Sequence, residues 1–312
     1  MAARATRSAS RKARLTEAVA TGPLGALSHD ELGVIFDGLA DPLQPVVAVA
    51  LSSTCLGLRT PLQAALEVLK ERHARAVALG KKVGWYHLAS GSIRPMSCAQ
   101  LRSAEELDLG LGNALAVKFT ADDMATLAMI LPRLQRLQRL SLDTNNLGDA
   151  GMQALCDDLN QGAAPFLRQL NLMDNLIRLP GIGALATALG RGALPNLATL
   201  ILSHNKFGSQ GVVVLAPALR KLPALRDLLI ANCEIGDEGV ASLVANLGKN
   251  DFKSLKDLSI GYNQTTGAGM ARLVAAIDAG CLPALDYDDG MFLHDPASAS
   301  AVKDALAKRR SQ

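Results

Sequence analysis

The sequence predicts an α/β solenoid, with a curved parallel sheet inside, helices outside and a small helical region at the N-terminus. A pattern of leucines closed by one Asn or Cys occurs five times, at steps of 28 to 30 residues. A glycine and two further apolar positions recur with every copy. The chain also has 54 leucines but only ten aromatic residues among its 312. Self-similarity at this period, with such a composition, favours many equivalent small layers over one bulky core.

Each copy of the pattern predicts a strand, a turn and a helix. The first copy has Leu137, Leu140, Leu142 and then Asn145, and the others begin at Leu167, Leu197, Leu225 and Leu255 and close with Asn175, Asn205, Cys233 and Asn263. Leucines two apart give a short strand with one buried face, and apolar residues four apart give a helix behind it. The Asn or Cys side chain is expected to bond backbone groups that would otherwise be buried unpaired. The glycine six residues later is expected to let two backbones approach closely.

These five copies resemble the leucine-rich repeat, and their length with one helix per unit is most similar to the ribonuclease-inhibitor-like subclass. The resemblance covers about residues 104–290, and we assign residues 101–293 to the solenoid. A degenerate unit with Leu107 and Leu109 precedes the five copies, and a closing strand is expected at 285–293. The resemblance implies a protein-binding function without an enzymatic activity.

The N-terminal segments predict a tail and a helical region. Residues 1–22 are expected to form a basic flexible tail, whose composition is shared by nuclear signals and transit peptides. Residues 23–80 are predicted to be helical, with one apolar helical face made of Leu32, Ile35, Phe36 and Leu39 before a break at Asp41-Pro42. This region resembles an F-box, which implies that these four residues dock on a Skp1-like adaptor of an SCF-type ubiquitin ligase. Ser28 and Leu58 replace the usual proline and tryptophan, and a helical cap that shields the first repeat is the alternative.

The remaining segments and the charge distribution bear on the partner. Residues 81–100 are interpreted as a linker, and residues 294–312 as a basic tail or short helix. The net charge of +3 includes +5 from residues 1–14 and +3 from residues 303–312, which leaves −5 for residues 15–302. An acidic body of this kind argues against nucleic acid as a partner.

No sequence motif indicates catalysis, a cofactor or a metal. The five histidines form no HExxH pattern, no cysteine pair has metal-ligand spacing, and no phosphate-binding loop is present. We therefore predict a protein that is not an enzyme and uses no cofactor. Five scattered cysteines favour an intracellular, reducing compartment, either cytoplasm or nucleus, and no stretch is long and apolar enough for a membrane span. We expect a monomer.

The residues that point outward from the predicted strands define the concave face, where a partner is expected to bind. It combines acids, one base and exposed apolar side chains: Glu106, Asp108, Arg139, Asp143, Met173, Asp174, Ile201, His204, Asp227, Leu229, Asp257 and Tyr262. This mixture predicts a basic or mixed apolar-basic protein client. Three roles remain open: a ligase adaptor, an interaction scaffold without a ligase, and a GTPase-activating protein. The last is suggested by the Ran GTPase activator, which shares the repeat class but has about twice as many repeats and an acidic tail.

Overall fold

The computed structural model describes residues 36, 39–54, 62–87, 92–110, 119–248, 250–286 and 296–310. These residues fall into two compact units, one within 1–80 and 97–99 and the other within 81–96 and 100–312. The strands are β1 (Gly84–His87), β2 (Ser92–Pro95), β3 (Glu106–Asp108), β4 (Arg139–Ser141), β5 (Gln169–Asn171), β6 (Thr199–Ile201), β7 (Asp227–Leu229) and β8 (Asp257–Ser259). The helices are α1 (Val46–Thr54), α2 (Gln63–Lys82), α3 (Cys98–Ser103), α4 (Ala121–Ile130), α5 (Gly148–Asp157), α6 (Leu179–Gly190), α7 (Gly208–Leu219), α8 (Asp237–Val244), α9 (Gly267–Asp278) and α10 (Pro296–Arg310).

The first unit has a small apolar core. This core consists of Phe36, Ala40, Ala48, Leu62 and Leu69, with Ala65 and Leu66 packed against it. His73 of α2 ties this helix to the Asp41-Pro42 break, because its Nδ1 lies 2.6 Å from the carbonyl oxygen of Pro42. The described helices of this unit are α1 and α2, and His73 has a structural role.

The segment interpreted as a linker differs from the prediction. Residues 81–100 contain an antiparallel pair, β1 and β2, in which Gly84 is opposite Pro95, and they also contain the start of α3. The glycines and proline of this segment suggested an irregular connection. However, Pro95 lies at the end of its strand, where its missing N–H costs the ladder nothing. The aromatic pair Trp85-Tyr86 supplies residues that favour strands.

The second unit confirms the predicted α/β solenoid. Strands β3 to β8 form one parallel sheet in sequence order, and successive repeat helices pack side by side. The central strand leucines are in register from strand to strand and at most 3% exposed: Leu107, Leu140, Leu170, Leu200, Leu228 and Leu258. Because each leucine stacks on its equivalent in the next repeat, burial extends continuously along the unit.

The predicted role of the closing Asn is confirmed by a ladder of side-chain hydrogen bonds. Asn205, fully buried, accepts at Oδ1 from the backbone N–H of Asn175 at 3.1 Å and of Ile177 at 2.9 Å. Its Nδ2 donates to the carbonyls of Leu172 at 2.9 Å and Leu202 at 2.8 Å. Two of these partners lie in the turn of the preceding repeat, so each Asn completes a turn that belongs to its neighbour.

Cys233 takes the place of Asn in this ladder. Its Sγ donates to the carbonyls of Leu202 and Ala231, both at 3.3 Å. Burial raises the pKa of its thiol to about 12, although the backbone N–H groups of Asn205 and His204 lower it. The thiol of Cys233 thus donates to the same kind of carbonyls as the Nδ2 of an Asn. In place of the amide oxygen it offers only sulfur, which is a weak acceptor.

The residue before each closing Asn or Cys has a left-handed backbone. Its φ lies between 52° and 60° in all five copies, at Thr144, Asp174, His204, Asn232 and Tyr262. This conformation is unfavourable for residues with a Cβ, and it recurs because the chain turns sharply where the strand ends. Three of these residues, Asp174, His204 and Tyr262, belong to the predicted concave face. They therefore lie at the same end of their strands with the same backbone conformation.

The first residues of each repeat helix form hydrogen bonds to a neighbouring repeat in one of two ways. Where the preceding repeat offers a polar side chain, the next helix is capped by it: Asp149 Oδ1 accepts from the N–H of Arg178 at 2.8 Å and of Gly181 at 3.0 Å. The equivalent of Asp149 in the next repeat is Leu179, which has no acceptor. The next helix, α7, therefore begins differently: Gly208 has a φ of 64° and donates its N–H to the carbonyl of Cys233 at 2.9 Å.

Residues 296–310 of the C-terminal segment form helix α10. Helix α10 packs against α9 and buries Val302, Ala305 and Leu306. Arg309 donates to the carbonyl of Leu282 at 2.6 Å and also to that of Leu285. Helix α10 therefore covers the last repeat. Residues 287–293 of the expected closing strand lie outside the described residues.

Candidate protein-binding surface

The parallel sheet brings the predicted concave-face residues onto one surface. Their strand positions alternate between buried and accessible, with Leu170 buried between accessible Gln169 and Asn171. Strands lie about 4.8 Å apart, so equivalent residues of successive repeats are neighbours. Site residues drawn from six separate sequence segments thus become adjacent.

The one base of the predicted surface forms an ion pair with one of its acids. Glu106 and Arg139 are register partners on β3 and β4, and Arg139 Nη2 donates to Glu106 Oε2. This hydrogen bond holds the pKa of Glu106 below its usual value. The concave base is therefore matched by one acid, and the excess negative charge comes from the other five acids.

Several of the remaining carboxylates are held by neighbouring polar side chains. Asp143 accepts from Ser141 Oγ at 2.5 Å and from Asn171 Nδ2 at 3.2 Å, and Asp227 accepts from Thr199 Oγ1 at 2.6 Å. Neutral donors of this kind fix carboxylate orientation without neutralising the charge. Asp227 also has a cation near it, because Arg226 Nε lies 3.9 Å from Asp227 Oδ1. The acidic character of the surface is preserved.

The apolar members of the concave face are accessible to solvent. Tyr262 is 55% exposed, while Met173, Ile201 and Leu229 are half-buried. Their backbones lie in or beside β5 to β8. They form the apolar part of a surface that is otherwise acidic and polar.

His204 pairs with a neighbour of the same row. Its Nδ1 lies 2.9 Å from Asn232 Nδ2, and both residues have the left-handed backbone described above. Asp174 occupies the equivalent position one repeat earlier. This end of the strands thus carries a polar row beside the apolar members.

A groove at the opposite edge of the sheet was not predicted. It has a volume of about 710 Å³, and its lining includes Arg136, Phe166, Arg168, Asn196, Ala198 and Ala224. We call it the edge groove. These residues precede strands β4 to β7, whereas the predicted concave face contains only residues within and after the strands. The signal was present as Phe166, an aromatic residue at a position that other repeats fill with Arg136, Asn196, Ala224 and Ser254.

The docking residues predicted in the first unit have different environments. Phe36 is only 1% exposed and belongs to the core of this unit, so it is unavailable to a partner in this structure. Leu39 is 41% exposed, and α1 adds Val46 at 67% and Val47 at 51%. Leu32 and Ile35 lie outside the described residues.

Among the described residues, no group of His, Cys, Asp and Glu is arranged to hold a metal ion. Cys98, Cys156, Cys233 and Cys281 are all free thiols. No described helix has the length and apolar character needed to cross a membrane.

The match to a family model agrees with the repeat architecture. Residues 134–156, 193–216 and 221–244 match the family model described as Leucine Rich repeat. Similar solved structures include the Leiomodin-1 Actin-Binding Site 2, with 12% identity, a TM-score of 0.33, and coverage of 42% of this chain and 72% of that chain. An LRR protein of Leptospira interrogans has 21% identity, a TM-score of 0.34, and coverage of 65% of this chain and 45% of that one. This chain thus spans less than half of the Leptospira protein. No curated protein sequence matches the chain significantly.

The second unit is therefore a leucine-rich repeat solenoid of the α/β class. The three matched segments each run from the residues before a strand into the following helix, β4 to α5, β6 to α7 and β7 to α8. The solenoid places its accessible strand residues on one surface, which is the arrangement through which repeat proteins of this kind bind proteins.

Proposed function

We propose that this chain is a protein-binding repeat protein whose concave face holds a basic or mixed apolar-basic client. The observation that carries the proposal is the accessible apolar set Met173, Ile201, Leu229 and Tyr262 within an acidic surface. Apolar contacts at the centre of an interface supply most of its affinity. The surrounding carboxylates steer cationic partners and raise the association rate.

The test separates these two contributions. A client is captured with the full chain, and its association and dissociation rates are then measured across a range of salt concentrations. The double variant Asp174→Lys with Asp227→Lys should slow association about tenfold at low salt and have little effect at high salt. Leu229→Ala should mainly raise the dissociation rate.

The control makes the same charge change away from the concave face. Asp158→Lys with Glu238→Lys alters two exposed acids, one at the C-terminus of α5 and one on α8. This variant should keep the wild-type association rate to within about twofold, because the potential at the concave face is screened from distant charges. Equal slowing by both double variants, or an acidic client, would refute the proposal.

An adaptor role in an SCF-type ubiquitin ligase is the second candidate, supported by the exposed apolar residues of the first unit. Leu39, Val46 and Val47 are between 41% and 67% exposed, so their apolar surface is available to a partner. The full chain should then co-purify with a Skp1-like adaptor, and Val47→Asp should abolish this, whereas Gln63→Asp at an exposed position of α2 should not. If no complex forms, the alternatives are a ligase-independent scaffold and, with less support, a Ran-type GTPase-activating protein. The free thiols agree with an intracellular location.

A further inference from the structure

The edge groove is formed by the loops that lead into consecutive strands. In the first four copies the residue before the first leucine is Arg136, Phe166, Asn196 and then Ala224, and all four line the groove. Since the repeats stack in register, these side chains lie side by side in this order. A large ring followed by shorter side chains leaves a depression beside Phe166.

Phe166 is the apolar feature of the groove. Its side chain is 51% exposed, although phenylalanine is a residue that folded proteins mostly bury. From the two following repeats, Ala198 and Ala224 line the groove with only methyl groups. An apolar side chain of a partner would have room to pack against the ring there.

The charge next to the ring is positive. Arg136 is matched by Glu105, with Nη2 to Oε1 at 2.7 Å. Arg168 is exposed, and no described residue forms an ion pair or side-chain hydrogen bond with it. A guanidinium with its donors directed to solvent binds a carboxylate in a two-point geometry.

We propose that the edge groove is a second binding site, which takes a protein segment with an apolar side chain next to a carboxylate. The apolar side chain packs on Phe166, and the carboxylate pairs with Arg168. A nucleic acid is the weaker fit, since its continuous negative charge requires a row of cations. This groove has one unmatched cation and adjoins the acidic concave face. The site differs from the proposed client surface in position and in the sign of its charge.

The probe for this site is a synthetic peptide of Gly and Ser residues with a central Leu-Glu-Glu-Leu, titrated into the ¹⁵N-labelled full chain. Saturable shifts should appear at Phe166, Arg168 and Ala198, with a dissociation constant below about 1 mM. Arg168→Glu and Phe166→Ser should each weaken binding about tenfold, because each removes one of the two contacts. Arg168→Lys should retain part of the affinity, since it keeps the charge but loses the paired donors.

Two controls make the outcome decisive. Arg178→Glu makes the same charge change at an exposed residue at the start of α6 and should leave binding unchanged. The same peptide with Lys in place of Glu should bind about tenfold more weakly. The proposal is wrong if no saturable shift appears, if the lysine peptide binds equally, or if the shifts map to the strand residues of the concave face. Equal binding of an all-glutamate peptide, or binding of a thymidine oligonucleotide that depends on Arg168, would also overturn it. Shifts on the concave face would also count against the proposed function, since the peptide is acidic. The other negative results concern the edge groove alone and leave the proposed function standing.

Discussion

Replacing Asn205 with Leu tests the side-chain ladder directly. The substitution leaves two buried backbone N–H groups, of Asn175 and Ile177, without the Oδ1 acceptor now found at 3.1 and 2.9 Å. A buried donor that loses its partner costs about 1–3 kcal/mol, so the two together should lower the free energy of unfolding by about 2–6 kcal/mol. The orphaned carbonyls add less, since Leu202 still accepts from Cys233.

Cys233 provides an internal comparison for this prediction. Asn205→Cys keeps a donor for the carbonyls and puts sulfur, a weak acceptor, in place of the amide oxygen, so it should cost less than the Leu variant, which offers neither. The reverse change, Cys233→Asn, should stabilise the fold by about 1 kcal/mol, because it offers the N–H of Asn205 an oxygen in place of sulfur. Asn160→Leu, at an exposed position, should stay within about 0.5 kcal/mol of wild type.

The measurement is equilibrium unfolding in urea, followed by circular dichroism. The midpoints should fall in the order wild type, Asn205→Cys and Asn205→Leu, at an unchanged slope with urea concentration. If Asn205→Leu had the same midpoint as Asn160→Leu, the ladder would contribute nothing measurable, and the reasoning from its hydrogen bonds would be refuted.

Three further predictions concern the interior, the helix starts and the buried thiol. Leu200→Ala should lower the free energy of unfolding by about 2–5 kcal/mol through lost burial and a cavity, and an unchanged thermal midpoint would contradict the stacked core. Gly208→Ala should lower the free energy of unfolding by about 1–2 kcal/mol, because the φ of this residue is positive. Gly183→Ala, within α6 and with nothing near its Cβ position, should instead raise it by about 0.5–1 kcal/mol. Equal shifts of the two thermal midpoints in calorimetry would refute the assignment. In the native protein at pH 8, Cys233 should resist alkylation by iodoacetamide while Cys281, half-exposed, reacts, as peptide mass spectrometry would show. Because the pKa of Cys233 is raised to about 12 in the fold, its contribution to stability is full below pH 9 and is lost as pH rises from about 9 to 12; Cys233→Asn should flatten this alkaline decline.

The repeating features of the solenoid could be predicted because each is fixed by a residue type at a fixed spacing. Leu170, Leu200 and Leu228 are buried as their spacing predicts, and Asn205 bonds the backbone as its position in the turn predicts. The glycine of each unit was also expected, although the structure gives a fuller reason. A Cβ on Gly239 would lie 2.6 Å from Ile235 Cγ2 and 3.1 Å from Ser209 Cα, so side chains as well as backbone require it.

The parts that could not be predicted depend on which segments become neighbours. Nothing local to Phe166 shows that Asn196 and Ala224, from later repeats, leave its ring accessible. Likewise, a helical stripe with Phe36 and Leu39 does not show which of its residues a small core will bury. The Glu106–Arg139 pair arises only when β3 and β4 align, and it occupies two side chains that the residue list alone counted as available to a partner.

The Asn ladder also has a direction, which matters while the chain is being made. Asn205 bonds the turn of the repeat before it, at Asn175 and Ile177, so that turn lacks its acceptor until Asn205 has been synthesised. At about 5–20 residues per second, the ribosome needs about 2–6 s to add one 30-residue repeat. During vectorial synthesis each turn therefore waits for one further repeat to leave the ribosome, and a nascent chain halted at a repeat boundary carries one unfinished turn at its growing end. Stop codons placed just before and just after Asn205 would produce chains that differ in protease resistance one repeat upstream of the cut.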